Sequence, residues 1–376
     1  MIYFDNAATG GQKPDSVLSA VSSAVKLCAN PGRSGHKLSL SCANLVQSCR
    51  RELCAFFDGY SPERVIFTKN CTEALNIALF GALKAGDHVI TTPMEHNSVL
   101  RPLQYLQKSV VISYDICTLS QGNVCASDIQ KLLRPNTKLV AMTGASNVTG
   151  ALPPIAEIRH ILPDSVLLLV DGAQSAGHVP LSMRDLGVDM LALAGHKGML
   201  GIQGSGALLF SDRVELSPLL HGGTGSMSVS LEMPDFYPDA LEAGTLAFPA
   251  ILSLLEGVRH LSLYFEQVRK KNYALTEYLL NGLKNLPVYQ PYSNPNACGI
   301  VAFAHKNMQS EYLASVLSST YDIAVRGGLH CAPLMHDALG TQSGLVRVSF
   351  SHFNSTGEID ELLSALKELE NTQEEY

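Results

Sequence analysis

The sequence is short of charge. Only 16% of its 376 residues are charged, the formal net charge is −7, and no long run of Lys or Arg occurs. That argues against a nucleic-acid backbone as partner, while leaving room for a local basic pocket. Long apolar runs are missing too: the longest, such as 166–170, fall far below the roughly 20 residues of a membrane helix. No secretory signal is visible, because Met1-Ile2-Tyr3-Phe4-Asp5 meets polar residues at once. The expectation is a soluble, cytoplasmic protein with neither membrane nor nucleic acid among its partners. CxxC pairs are absent among the nine cysteines, at 28, 42, 49, 54, 71, 117, 125, 298 and 331. Zinc and thioredoxin-like readings are therefore poor, and no metal is expected. Most of these cysteines read as buried, reduced thiols; Cys331 is treated apart. Internal repeats and low-complexity segments are lacking as well.

What is present is a chain long enough for a large domain and a smaller one, with 46% hydrophobic residues. From about 60 to 210, short β-branched runs alternate with helical stretches. Strands are expected at 64–68, 88–92, 110–114, 139–143, 166–170 and 190–193, and helices at 72–83, 97–107, 127–133 and 154–162. Strands that are apolar throughout and joined by helices indicate an α/β architecture with a mostly parallel sheet covered on both faces. Ligands of such sheets bind beyond the carboxyl ends of the strands. A long helical stretch at 252–286, broken or not, leads to strands near 299–304, 323–326 and 345–350. A capping-box pattern, Ser355-Thr356-Gly357-Glu358, opens a last helix to about 370; 371–376 reads as a frayed tail. The expected division is a large domain over 12–250 and a smaller α+β domain from 251–376 joined by 1–11.

The residues after the strands carry the chemistry. Asp171-Gly172-Ala173-Gln174 follows one strand and Ala194-Gly195-His196-Lys197-Gly198 the next. Adjacent strands would place Asp171 and Lys197 at one sheet edge. An acid, a lysine and a phosphate site at one edge are what pyridoxal 5'-phosphate (PLP) requires: an amine for its aldehyde, and a carboxylate that keeps its pyridine nitrogen protonated. Its phosphate needs N–H groups at a helix start, and Asn70-Cys71-Thr72-Glu73-Ala74 supplies one directly after a strand. Thr72 can add a hydroxyl and His196 an imidazole. His96, in Glu95-His96-Asn97-Ser98, sits where a ring could stack on the pyridine face. Asn147, in Ser146-Asn147-Val148-Thr149-Gly150, falls near the ring oxygen or the substrate. Each piece alone has a plain reading: Asp-Gly as a turn, Gly-His-Lys as a loop, His96 as a satisfied hydrogen-bonding residue. Their joint placement after successive strands is what carries the inference.

With these motifs in view, the chain resembles the class V aminotransferase-like family of fold-type-I PLP enzymes, and within it the cysteine desulfurase and selenocysteine lyase branch. The resemblance covers nearly the whole chain. It runs from Tyr3-Phe4-Asp5-Asn6-Ala7-Ala8-Thr9 and Asn30-Pro31-Gly32-Arg33-Ser34-Gly35-His36, through the motifs above, to Glu242-Ala243-Gly244-Thr245, Arg326-Gly327-Gly328-Leu329-His330-Cys331-Ala332-Pro333 and Val346-Arg347-Val348-Ser349. It implies Lys197 as the cofactor-anchoring lysine, Asp171 as the pyridine-nitrogen partner, His96 stacked on the ring and Gln174 on the ring oxygen. Thr72 and His196 would hold the phosphate, with Cys71 standing where small or hydroxyl residues are common. Thr245 would reach the phosphate of the partner subunit, which implies a homodimer. Arg347 would hold the substrate carboxylate, for which a guanidinium fork is suited; its plainer reading is a strand-end surface arginine. Asn147, His36 and Arg326 would line the substrate pocket.

Cys331 decides the reaction that the resemblance implies. Branch members that take sulfur from cysteine use a mobile cysteine after an Arg-x-Gly-x-His stretch, and Cys331 occupies that place. The glycines and proline around it favour a loop, and its reactivity would depend on neighbours such as His330, His96 or Arg326. The implied reaction converts L-cysteine to L-alanine with a persulfide on Cys331 for a sulfur-acceptor protein or thiol. The alternatives are the same chemistry on L-selenocysteine, another class V β-lyase or aminotransferase in which Cys331 is dispensable, and a non-catalytic scaffold. The stretch Leu329-His330-Cys331-Ala332-Pro333 departs from the more usual His-His-Cys-Ala-Gln.

Overall fold

A computed structural model describes residues 1–27 and 29–372, without the side chains of 371 and 372. Cys28 and 373–376 lie outside the described residues. The last helix, Thr356–Thr372, takes in the first two residues of the tail expected to fray. Seven strands form the main sheet, in the order Val65–Thr68, Gly206–Phe210, Met190–Ala194, Leu167–Asp171, Thr137–Thr143, His88–Thr91, Ser113–Ile116. All neighbours are parallel except Gly206–Phe210, which runs antiparallel to both of its partners. Period-2 alternation, with both faces of the sheet covered, explains why the central strands are largely apolar, whereas the edge strand Ser113–Ile116 is only partly buried. Leu168, Val170, Leu191 and Leu193 belong to the core on one side of the sheet. Leu167, Leu169, Met190 and Ala192 belong to the core on the other.

Two departures from expectation concern the strands of this sheet. The strand expected at 110–114 begins at Ser113, because the preceding helix, Asn97–Ser109, runs on and Val111 turns the chain at φ +62°. Gly206–Phe210 was not expected as a strand at all, although its Gly-Ala-Leu-Leu-Phe run is apolar throughout.

The helix Phe248–Leu283 is unbroken over 36 residues, because its one proline lies in the first turn, where no helical hydrogen bond is lost. Its first half buries Ile251, Leu254, Leu255 and Val258 against the main sheet's core. Its second half buries Leu275, Leu279 and Leu283 in a separate core built on the antiparallel sheet Tyr289–Pro291, Ile300–His305, Val346–Ser349. The N-terminal segment joins this second core. Ile2–Tyr3 pairs with Ile323–Ala324, and Phe4 packs edge-to-face on Phe350 at 5.2 Å. The capping box closes reciprocally: Ser355 N–H donates to Glu358 Oε2 at 2.7 Å, and Glu358 N–H to Ser355 Oγ at 3.3 Å. Among the described residues no helix is long and apolar enough to cross a membrane.

Candidate active site

Because the strands are parallel and adjacent, their carboxyl ends deliver side chains to one edge. Asp171 ends its strand and pairs in register with Ala192, and Lys197 follows three residues after Ala194 closes the next strand. Around that edge lies a small cavity of about 80 Å³, lined by Cys71, Thr72, His96, Asn147, Asp171, Gln174, His196 and Lys197 among others. The helix Cys71–Ala82 opens at its wall. Asn70 caps the helix through Glu73 N–H at 2.9 Å, and helix geometry leaves the N–H groups of Cys71 and Thr72 without intrahelical acceptors. The Thr72 hydroxyl meets Ser98 Oγ at 2.8 Å.

Asp171 is nearly inaccessible to solvent. Its Oδ1 accepts from Ala173 N–H at 2.9 Å and from the Cys71 thiol at 3.3 Å. Cys71 is therefore bonded to the acid, and burial together with Asp171 pushes its thiol far above the usual range. Burial lowers the proton affinity of the Lys197 amine, with the Asp171 carboxylate opposing. His96 caps the helix Asn97–Ser109, its Nδ1 accepting from Ser98 N–H at 3.0 Å; burial holds it down at about 4, so it is neutral at neutral pH. His196 is held at about 4 by burial and by the positive charge of Lys197, and its Nδ1 lies 3.0 Å from Thr9 Oγ1. The Gln174 amide donates to the Ala7 carbonyl at 2.9 Å.

Arg347 is not a surface arginine. It is 1% exposed, with Nη1 donating to the Asn147 carbonyl at 2.9 Å and Nη2 to Asp5 Oδ1 at 2.9 Å. Cys331 is exposed, on a turn that precedes the helix Pro333–Leu339. Both His330 and Cys331 hold positive φ, +51° and +58°, at a cost of roughly 1–2 kcal/mol each for residues with a Cβ. Two hydrogen bonds offset that strain: Asn97 N–H donates to the Cys331 carbonyl at 2.8 Å, and Asn147 Nδ2 to the His330 carbonyl at 2.7 Å. The cation at the thiol is Arg326, whose Nη2 lies 3.9 Å from Sγ. His330 brings no charge to it, because burial and the nearby arginines push its imidazole down to about 2 and its ring bonds to the Leu345 carbonyl.

His36 and Thr245 are not brought into the cavity. His36 is an exposed helix cap, accepting from Ser39 N–H at 3.1 Å. Thr245 is exposed and lines a separate depression with Lys69 and Glu242. Glu242, in the same motif, forms a buried ion pair with Arg50 and accepts from Phe67 N–H at 2.6 Å. It thereby pins this segment to the strand that leads into the Cys71–Ala82 helix.

Sequence reasoning passed over three neighbours of the site. Asp5 pairs with Arg347. Lys13 donates to the His196 carbonyl at 3.1 Å, and burial lowers its ammonium to about 8. Glu95 is fully buried: Oε1 accepts from Thr92 Oγ1 at 2.6 Å and Thr143 N–H at 2.9 Å, while Oε2 has no partner. Only the chain order around His96 hinted at Glu95, since nothing in one sequence says which residue of Glu-His-Asn-Ser faces inward. Burial raises the Glu95 carboxyl to about 8 from an ordinary 4.5. Between those values the unfolded chain is ionised while the folded site keeps its proton, so folding stability falls as pH rises through that window. Glu95→Gln keeps the oxygen that accepts from Thr92 and Thr143 and cannot ionise. Its melting temperature relative to wild type is expected to climb steadily from pH 5 to pH 8 in differential scanning calorimetry; a pH-independent difference would refute the raised carboxyl.

The chain belongs to the aminotransferase class-V family, whose model matches residues 2–362. It is 34% identical over 380 residues to a "Probable cysteine desulfurase" of Methanothermobacter thermautotrophicus, covering 98% of this chain and 94% of that one. It is 30% identical to a "Cysteine desulfurase" of Pectobacterium carotovorum, covering 98% and 93%. Among solved structures, the apo cysteine desulfurase of Thermococcus onnurineus superposes with a TM-score of 0.90 at 30% identity, over 99% of this chain and 95% of that one. The architecture is thus the fold-type-I α/β arrangement that the sequence led us to expect, with one antiparallel strand in its main sheet.

Proposed function

We propose that this protein is a PLP-dependent cysteine desulfurase that converts L-cysteine to L-alanine and leaves the sulfur as a persulfide on Cys331. One observation carries the reading. The edge that presents Lys197 and Asp171 also holds, through Asn97 and Asn147, the backbone of the turn bearing an exposed cysteine. The cysteine desulfurases of similar sequence and length support it.

The residues present fit PLP. The cavity gathers an acid, an amine and two imidazoles at one sheet edge, Asn147 Oδ1 is buried with no partner, and unfilled N–H groups stand at a helix start. Lys197 would anchor the cofactor, Asp171 meet its pyridine nitrogen, Gln174 its ring oxygen, His96 its face, and Thr72, His196 and the Cys71 backbone its phosphate. When bound, PLP supplies an electron sink for the substrate's α-carbon.

The chain's own groups do the rest. Arg347, with Nε–H still free and buried, holds the substrate carboxylate while Asn147 and Arg326 flank it. Lys197, its amine readied by burial, takes the α-proton and returns one. Arg326 Nη2 stands 3.9 Å from Cys331 Sγ, the atom that reacts as a thiolate. That thiolate attacks the substrate sulfur: an S–S bond forms, the Cβ–S bond breaks, and the electron pair left on carbon is protonated. Neutral His96 can accept the proton that the thiols release. Cysteine plus one protein thiol thus gives alanine plus a persulfide, with no external oxidant. An acceptor thiol or protein then clears Cys331.

We also assign two domains, 12–250 and 251–376 joined by 1–11, on the two separate cores. A homodimer follows if Thr245 of the partner subunit completes the phosphate site. The exposed apolar side chains of Met227, Val229, Leu231 and Phe236, on the segment that leads in sequence to Thr245, suit a second copy. A cytoplasmic setting suits a reaction that needs an exposed thiol kept reduced.

The test is an assay of alanine and sulfide from L-cysteine and selenide from L-selenocysteine. With L-cysteine supplied at one equivalent and no other thiol, alanine is expected to match the persulfide formed on Cys331, and excess thiol is expected to release that sulfur as sulfide and sustain turnover. Pyruvate in place of alanine, or alanine formed from one equivalent of L-cysteine with no persulfide on Cys331, would contradict the proposal.

A further inference from the structure

Arg347 carries five N–H donors. The structure commits two, to the Asn147 carbonyl and to Asp5 Oδ1, and leaves Nε–H buried without a partner. The arginine is 1% exposed, whereas the Asp5 side chain is 23% exposed. The backbone delivers Asp5 to this place. A bridge pairs Asp5 with Ser349, two residues beyond Arg347 on the same strand, and Ser349 N–H donates to the Phe4 carbonyl at 2.6 Å. Asn6 Nδ2 then donates to the Ser349 carbonyl at 2.9 Å. The N-terminal segment therefore fixes a carboxylate on the one guanidinium that the proposed reaction reserves for a substrate carboxylate.

We infer that Asp5 is a resident stand-in for the substrate's carboxylate at Arg347 and sets the site's affinity for monocarboxylate ligands by competing with them. The inference rests on the reading of Arg347 given above. A buried guanidinium with no counter-ion is costly, so the ligand-free protein needs Asp5. An arriving carboxylate meets the remaining donors, Nε–H among them, and the like charge of Asp5 beside it. Asp5 can turn its partly exposed side chain toward water, and the buried arginine cannot follow. Binding then exchanges one anion for another, and an amine without a carboxylate finds the charge of Arg347 already paired with Asp5.

The test uses the holoenzyme with L-alanine and with propionate as ligands, measured by calorimetric titration and thermal unfolding. Asp5→Asn keeps the accepting oxygen and removes the charge. It is expected to melt lower than wild type in the absence of ligand, yet to bind both ligands about fivefold more tightly or better. Asp5→Glu restores a carboxylate and is expected to return affinity toward wild type, which also covers the case in which Asp5→Asn does not fold. Weaker or unchanged binding by Asp5→Asn, or tighter binding by Asp5→Glu, would overturn the inference. A purely structural role would lower melting temperature and affinity together. Alanine release from cysteine by the wild-type enzyme is a separate measurement: its failure would remove the desulfurase reading without touching the propionate result, and the reverse outcome would remove Asp5's role alone.

Discussion

Replacing Lys197 by alanine is expected to abolish turnover of L-cysteine, by roughly 10⁴-fold or more, and to remove the visible absorbance of the purified protein. Two roles fail together in that variant. The cofactor loses its covalent anchor, and the substrate loses the base that takes its α-proton, a function worth about 10²–10⁴-fold alone. The fold should survive. Burial disfavours the Lys197 ammonium, so its removal takes a desolvated charge out of the cavity rather than a packing contact. A Lys197→Ala protein with an intact fold and wild-type alanine production would remove the lysine from the reaction.

Cys331→Ser is expected to lose cysteine-dependent alanine and persulfide formation by about 10³-fold or more, while keeping the cofactor spectrum of the wild type. The split separates the two halves of the site. Lys197, Asp171, Thr72 and His196 line the cavity, whereas Cys331 is tied to that edge through its backbone carbonyl, which accepts from Asn97 N–H. Serine fits the same turn, so stability should hardly change, but an alkoxide is a poor nucleophile toward sulfur. Holding two sulfurs in line contributes on the order of 7 kcal/mol when the attacking thiol is in place, and the serine variant forfeits that. Absorbance lost with activity would point to a structural role for Cys331. Activity retained would favour a class V lyase or aminotransferase in which this cysteine is dispensable.

Much of the architecture was legible because the strand pattern and the chemistry reinforce each other. A run such as 166–170, apolar at every position, can be read as a doubly covered strand, and the acid that ends it is then placed without further information. Residues whose meaning depends on distant partners were less legible. The Arg50–Glu242 pair joins positions nearly 200 apart in the chain. Asp5 gains its meaning only when a parallel bridge brings it to Ser349. Boundaries slipped where local geometry overrode composition: Val111 at positive φ delays a strand that its own side chain would favour. The loop expected at Cys331 was visible in its glycines and proline. The two successive left-handed residues that shape it were not, because His and Cys are poor candidates for that conformation. The neutrality of His330 was hidden for the same kind of reason, since burial decides its charge and burial is a tertiary property.

Protein mass mapping after a single exposure to L-cysteine, with no reductant present, tests the central claim most directly. The peptide containing Cys331 is expected to gain the mass of one sulfur atom, in proportion to the alanine released, with the other cysteine peptides unchanged. Alanine formed while that peptide keeps its original mass, or added sulfur found on a different cysteine, would contradict the account.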